Sequence, residues 1–190
     1  MRIWLTGDDL ARTRFGRKLS PLGSVVLSTQ ALRGGAPPLY DQWRRLARVG
    51  EAMRPLFDVV PAVGHIPDYL TPVVSGGIEA ELDALLATPR RRIEARSWAS
   101  RRLADGDRDT WRALTNAMRC YFDTVLAPHW AAMSANHHAD TAHRTRQIGA
   151  AGVERVFNTL HPDVRWSSPV LEIADQSDDE VDLGGRGLIL

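Results

Sequence analysis

The longest helical pattern in the chain is TWRALTNAMRCYFDTVLAPHWAAMSANHHADTAHRTRQIGAAGVERVFNTL, residues 110–160. In its first half, apolar side chains recur at spacings of three and four residues, which places them on one face of a helix. These side chains are Trp111, Leu114, Met118, Tyr121, Phe122 and Val125. Asp107 and Asp109 precede them and suit the partial positive charge of a helix N-terminus. The pattern predicts a core helix on which the other elements pack.

Pro128 lies inside this pattern. Proline has no backbone N–H and its ring crowds the preceding turn, so we expect a kink or a break in the helix there. The apolar period resumes at Trp130 and Met133, and the stretch ends near Leu160. We therefore predict a helical bundle around one long kinked helix over about residues 107–160.

Shorter helices are predicted from start signals and apolar spacing. They begin at a Thr6–Asp9 capping box, at Ser20-Pro21, at Tyr40, at Ile78 and at Thr88-Pro89. The helix from Tyr40 is expected to reach Met53 with Leu46 facing inward. The helix from Ile78 is expected to end at Leu86, which is also assigned to the inward face.

The composition changes after Leu160. Short runs with β-branched residues follow at 164–166, 170–173, 181–183 and 188–190, separated by the acidic stretch 175–180 and by a Gly-Gly-Arg-Gly turn at 184–187. Because a sheet needs partner strands, the run Ile3–Leu5 near the N-terminus can join them. The predicted fold is α+β and mostly helical, with a helical domain over 1–160 and a β-strand segment over 161–190 that packs on it.

Composition and charge limit the function classes. The net charge is +1, from 24 basic and 23 acidic residues, so no large field exists to hold nucleic acid by electrostatics alone. Cys120 is the single cysteine, which excludes an internal disulfide and fits a reducing, cytoplasmic setting. No apolar run approaches the ~20 residues of a membrane helix, so we expect no membrane partner. No motif implies a cofactor.

Histidine and aspartate at His137, Asp140 and His143 could bind a divalent ion. On a helix, however, His137 and His143 lie roughly 240° apart, so the three side chains do not converge. A solvated helix face without metal is the favoured interpretation. His65 and Asp68 could form an acid–base pair, but a structural role for this proline-rich loop is favoured because no nucleophile lies near.

Arginines are concentrated before the long helix, at Arg90–Arg92, Arg96 and Arg101-Arg102. Such a basic face can bind phosphate. Acidic residues lie close by in sequence, at Glu79, Glu81, Asp83 and Glu94. A solvated helix face is therefore favoured over a phosphate site.

Six segments occur in a distinctive order: RIWLTGDDLARTRF, SPLGSVVLSTQAL, LYDQWRR, HIPDYLTP, LHPDVRWSSPVLEI and DLGGRGLIL. Together they resemble the N-terminal region of a family of actinobacterial ArsR-type helix-turn-helix transcriptional regulators. The most specific segments are PDYLTP at Pro67–Pro72 and LHPDVRW at Leu160–Trp166. In such proteins a winged helix-turn-helix module follows this region. The resemblance implies that a C-terminal module absent from this chain carries DNA binding, and the apolar run at the end of the chain fits a strand that continues.

The resemblance implies a regulatory domain that senses a ligand or forms a homodimer, with no catalytic residues. We expect the loop His65–Pro72 to pack near Pro128 and to enclose a small organic effector. The candidate ligand-binding residues are Asp68, Tyr69, Tyr121, Phe122, His129 and Trp130. The same aromatic residues could instead close a dry core. A small cytoplasmic enzyme using His65 and Asp68, and a plain oligomerisation module, are the alternative functions.

Overall fold

The computed structural model describes residues 1–16, 18–35, 40–74, 76–174 and 178–190. The fold is α+β and mostly helical, as predicted. The helices are α1 (Gly7–Arg12), α2 (Pro21–Gln30), α3 (Asp41–Leu46), α4 (Arg54–Val59), α5 (Ile78–Leu86), α6 (Trp98–Asp105), α7 (Arg108–Tyr121) and α8 (Trp130–Leu160). The strands are β1 (Arg2–Trp4), β2 (Val164–Ser167), β3 (Val170–Ile173) and β4 (Glu180–Asp182). Residues 175–177 of the predicted acidic turn lie outside the described residues.

The chain forms two compact units. The first unit combines Met1–Lys18 with Ser134–Leu190, and the second is the continuous segment Leu19–Met133. The predicted boundary at residue 160 lies inside the first unit. The reason is that strand β1, at the N-terminus, pairs with strands from the other end of the chain.

The first unit contains a four-stranded sheet in the order β2-β3-β1-β4. Strand β1 is central: it runs antiparallel to β3, with Ile3 opposite Leu171, and parallel to β4, with Ile3 opposite Val181. This confirms the prediction that the N-terminal run joins the C-terminal strands. The last predicted strand is reduced to a single bridge between Arg14 and Ile189.

One face of this sheet is buried by the end of α8. Phe157 is fully buried and its ring centroid lies 5.3 Å from that of Trp166 on β2. Ile3, Leu5 and Leu171 complete the buried cluster. The alternation along β2, with Trp166 buried between two exposed residues, is that of a strand with one face covered.

The second unit packs its core around α7. Leu114, Met118 and Tyr121 are fully buried, and Val125 is nearly so. Trp111 and Phe122, predicted on the same face, are partly buried and pack against that core at its margin. The apolar spacing therefore identified the inward face of α7 correctly. Helices α2, α4, α5 and α6 supply the surrounding residues.

The break predicted at Pro128 is present. After α7 the chain takes a π-helical turn, Phe122–Leu126, and a 3₁₀ turn, Ala127–His129, before α8 begins. The missing N–H of Pro128 falls at the start of the 3₁₀ turn, where it leaves no helical hydrogen bond unmade. A second interruption lies at Gly152, whose φ of 78° is not helical.

Two local predictions were wrong. The helix from Tyr40 ends at Leu46, which is 70% exposed, because few of its side chains find a core to pack on. The helix predicted from Thr88-Pro89 begins only after Ser97, whose hydroxyl accepts a hydrogen bond from the Ser100 amide and caps α6.

Leu86 was also assigned wrongly. It is the last residue of α5 and is half exposed, whereas Leu82 and Leu85 on the same helix are buried as predicted.

Candidate functional site

The Pro67–Pro72 segment forms an ordered turn in the second unit. Asp68–Leu70 is a single 3₁₀ turn, closed by a 3.0 Å hydrogen bond from the Leu70 amide to the Pro67 carbonyl. The side chain of Tyr69 is 95% buried by this turn and Leu70 is fully buried, while Asp68 faces solvent. The turn therefore delivers an aromatic side chain into the helical unit and keeps its carboxylate outside.

Tyr69 lines a pocket of about 390 Å³. The pocket lies between the end of α4 and the start of α6, with Val60 on one side and Ser100 on the other. Arg33 forms part of the wall and is held in place, since its Nη1 donates to the carbonyls of Phe57 and Val60 at 2.7 and 2.6 Å. The wall at Arg33 is thus fixed by the backbone of α4 and its C-cap.

The hydroxyl of Tyr69 is buried and finds no hydrogen-bond partner in the part of the chain that the structure describes. Burial raises the pKa of this phenol, and the negative charge of Glu94 raises it further. The phenol is therefore neutral at physiological pH and able to donate a hydrogen bond. Glu94 itself pairs with Arg96 at 2.7 Å, on the rim of the same pocket.

The other predicted site residues occupy different places. Tyr121 belongs to the core, where burial raises the pKa of its phenol while the nearby Ser28 and Thr29 hydroxyls partly lower it. Phe122 and Trp130 meet edge to face, with ring centroids 5.1 Å apart. These two residues lie on either side of the break in the long helix, and their rings are in contact across the π-helical turn.

His129 is exposed and lines a second pocket, of about 470 Å³, with Trp43 and Val125. Tyr69 does not line that pocket, and His129 does not line the pocket of Tyr69. The structure thus brings Phe122 and Trp130 together but gives Tyr69 and His129 separate pockets.

His65 faces a different acid from the one considered in the sequence. Its Nε2 lies 3.8 Å from Oε1 of Glu94, and both side chains are partly exposed. Asp68, the partner considered but not favoured in the sequence, is exposed on the following turn. The His65–Glu94 pair could not be foreseen, because the two residues are 29 positions apart in the chain, with a helix between them.

The histidine-rich part of α8 has structural contacts. His137 Nε2 lies 3.1 Å from the carbonyl of Gly16, and Asp140 accepts a hydrogen bond from Arg144 one turn later. Across the described ranges, no group of three or more His, Cys, Asp or Glu side chains is arranged to hold a metal ion. These contacts account for His137 and Asp140 without a ligand.

A buried carboxylate in the first unit was seen in the sequence only as a helix cap. Asp9 completes the predicted capping box of α1, whose N-cap is Thr6, with its Oδ2 accepting from the amide and hydroxyl of Thr6. Its Oδ1 also accepts from the amide of Gly187, in the C-terminal glycine turn. Burial raises the pKa of Asp9, but the hydrogen bonds from Gly187, Thr6 and Gly185 outweigh it and hold the pKa well below its ordinary value. This carboxylate is an ionised structural anchor.

Comparison with known proteins gives no relatives: no family model, no curated protein and no solved structure matches the chain. Within the described residues, every helix is too short or too polar to cross a membrane.

Proposed function

We propose that this chain is the effector-sensing domain of an ArsR-type transcriptional regulator, acting as a homodimer, and that the pocket beside Tyr69 receives a small organic effector. The class rests on the resemblance of the PDYLTP and LHPDVRW segments. DNA binding belongs, in this proposal, to a module outside these residues.

The proposal of a ligand site rests on the buried hydroxyl of Tyr69. A buried polar group without a partner costs about 1–3 kcal/mol, and any state that supplies a partner recovers that free energy. Tyr69 lines a pocket of about 390 Å³, which suits a ligand with a modest apolar body. A carbonyl or ether oxygen on the ligand would accept a hydrogen bond from the neutral phenol.

The contacts of α2 connect the proposed pocket with the break in the long helix, so ligand binding could change the conformation at the break. Helix α2 contacts both the Asp68–Leu70 turn beside the pocket and the π-helical turn Phe122–Leu126. π-Helical turns are often found at functional sites, because their extra residue can be absorbed or released. An effector that prefers one arrangement of the Tyr69 turn would then shift the population at the break in the long helix.

Exposed apolar side chains support self-association. Leu46, Val73 and Trp98 of the second unit are large hydrophobic residues with more than half of their surface exposed. Burying such side chains against a second copy would remove apolar surface from water. Sedimentation of the purified chain at several concentrations tests the homodimer directly, and a monomer at high micromolar concentration would reject it.

The effector site is tested by thermal melts of the chain against a set of small uncharged aromatic ketones, phenols and ethers. A ligand of the native state raises the melting temperature by mass action. We expect hits to lose their effect in Ala62→Trp, which fills the pocket, and to weaken in Tyr69→Phe. Tyr40→Phe, an exposed tyrosine, is the matched control.

Tyr69→Phe carries a second readout that needs no ligand. Removing an unpartnered hydroxyl should leave the ligand-free chain as stable as the parent or more stable by about 1 kcal/mol. With a hit bound, hydrogen exchange at Phe122–Leu126 should change. If nothing in the set binds, or if hits act equally on Ala62→Trp, the sensing role fails and the oligomerisation module is favoured.

A further inference from the structure

A strongly basic pocket lies elsewhere in the second unit, between the 3₁₀ turn Arg90–Arg92 and the first turns of α7. Its volume is about 490 Å³, and Arg90, Arg108 and Arg112 line it together with Trp111. No acidic side chain of the described residues is part of its lining. It shares no lining residue with the pocket of Tyr69.

The glycine at the end of α6 positions Arg90. Gly106 has a φ of 80°, and a Cβ at this residue would lie 2.3 Å from Cζ of Arg90. The guanidinium therefore packs flat on the glycine, and Nη1 donates to the Asp105 carbonyl at 3.4 Å. This arrangement holds a long, flexible side chain at the pocket and leaves other donors of its planar group for a ligand.

Two acids near the pocket, Asp107 and Asp109, are already engaged. Asp107 binds Arg102 and accepts from the amides of Asp109 and Thr110, so its pKa is held low by the Thr110 amide first and then by Arg102. Asp109 pairs with Arg112 at 2.6 Å. By contrast, Arg90 and Arg108 form no ion pair with any described residue. Two positive charges at the pocket are thus left without an acidic partner.

Trp111 provides a fixed apolar wall beside these charges. Its Nε1 donates to the Leu103 carbonyl at 3.1 Å, which sets the orientation of the ring. Thr88 and Thr115 also line the pocket, but their hydroxyls donate to the backbone carbonyls of Ala84 and Trp111. The lining of the pocket thus combines guanidinium groups with an indole ring.

From this geometry we infer that the pocket binds a small organic phosphate monoester, with the phosphoryl group at Arg90 and Arg108 and the organic body against Trp111. Guanidinium groups bind phosphate oxygens through parallel charge-assisted hydrogen bonds, and two of them match the two negative charges of a monoester. This site is independent of the proposed effector pocket.

Phenyl phosphate is the probe, titrated into the full chain by calorimetry and followed by tryptophan fluorescence. We expect saturable binding that weakens by about tenfold or more in Arg90→Gln and in Arg108→Gln, because each removes a charged hydrogen-bond donor. Arg146→Gln, an exposed arginine of α8, should bind like the parent. Melting temperatures of the two pocket variants should stay within about 2 °C of the parent, which separates lost binding from lost folding.

Three further ligands test which class of ligand the pocket binds. Inorganic phosphate should bind more weakly than phenyl phosphate, since it makes no contact with Trp111, and benzyl alcohol should not compete. Equal affinity for benzoate would overturn the monoester assignment in favour of single-charge anions. No saturation by phenyl phosphate at millimolar concentration, or unchanged affinity in both pocket variants, would overturn the site itself.

Discussion

Oδ1 of Asp9 accepts a 2.9 Å hydrogen bond from the amide of Gly187, 178 residues further along the chain. The glycine turn is held there by a second contact, since Nη1 of Arg12 donates to the Gly185 carbonyl at 2.7 Å. One ionised carboxylate therefore completes the capping box of α1 and also links that helix to the glycine turn 184–187 of the first unit.

Asp9→Asn should lower the melting temperature at pH 7. The amide NH₂ of asparagine places a donor against the Thr6 amide or the Gly187 amide, where the carboxylate supplies only acceptors. Thermal melts followed by circular dichroism measure the difference. Asp8→Asn, at the exposed neighbouring residue, is the matched control. Equal effects at the two positions would contradict a specific stabilising role of the Asp9 carboxylate.

The pH dependence of the parent follows from the same carboxylate. Its pKa in the folded chain is lowered, so the stabilisation is complete above the unfolded-state pKa, about 3.9. It is lost as the pH falls from there through the lower folded-state pKa. The gap in melting temperature between parent and Asp9→Asn should therefore narrow as the pH drops below about 4. A gap independent of pH would show that the carboxylate charge is not involved.

Gly187→Ala should destabilise the first unit by at least about 1 kcal/mol. The residue has a φ of 75°, and its new Cβ would lie 2.7 Å from the backbone carbon of Arg12, which cannot move aside. Gly149→Ala offers a matched control, because that glycine lies in α8 with open space around it. Alanine there should stabilise by about 0.5–1 kcal/mol. Urea titrations that rank the two variants the other way would refute the close approach.

Leu114→Ala should cost about 2–5 kcal/mol in free energy of unfolding, as other large-to-small changes in cores do. Leu114 is fully buried on the inward face of α7. Arg146→Ala, on an exposed position of α8, should change stability by less than about 0.5 kcal/mol. Similar losses in the two variants would mean that α7 does not organise the core.

Glu81 should make the stability of the second unit depend on pH in the opposite direction to that expected from Asp9. Burial raises the pKa of its carboxyl, although hydrogen bonds from the Leu22 amide and the Ser20 hydroxyl partly lower it. A raised folded-state pKa means that the contribution is fully present below the unfolded-state pKa, about 4.3, and is lost as the pH rises through the folded-state pKa. Glu81→Gln should remove this decline, while Glu51→Gln, on the surface, should keep it. Parallel pH profiles for both variants would exclude the buried carboxyl as its source.

The sequence predicted correctly those features that depend on residues close together in the chain. The Thr6–Asp9 capping box and the break at Pro128 depend on residues within one or two turns, and both are present. The bond from Asp9 to Gly187 depends on strand pairing between the chain ends, which no local pattern encodes.

The candidate site was likewise predictable only in part: one of its residues follows from a local signal in the sequence, and its neighbours do not. Tyr69 could be selected because a proline-rich loop is costly to order unless it packs on other elements, and the structure buries this side chain. Its neighbours Glu94 and Val60 lie in the segments beside α6 and α4, and no local sequence pattern predicts how these segments pack.

The central position of β1 has a consequence for synthesis of the protein on the ribosome. Trp4 pairs with Val170 and Asp182, so β1 must wait for at least 166 further residues before its first partner exists. At usual elongation rates that wait lasts roughly 10–30 s. The second unit, a continuous segment, can fold during this interval, whereas β1 leaves the exit tunnel as an unpaired strand with both edges open. The residues of β1 are therefore among the last of the first unit to reach their native partners.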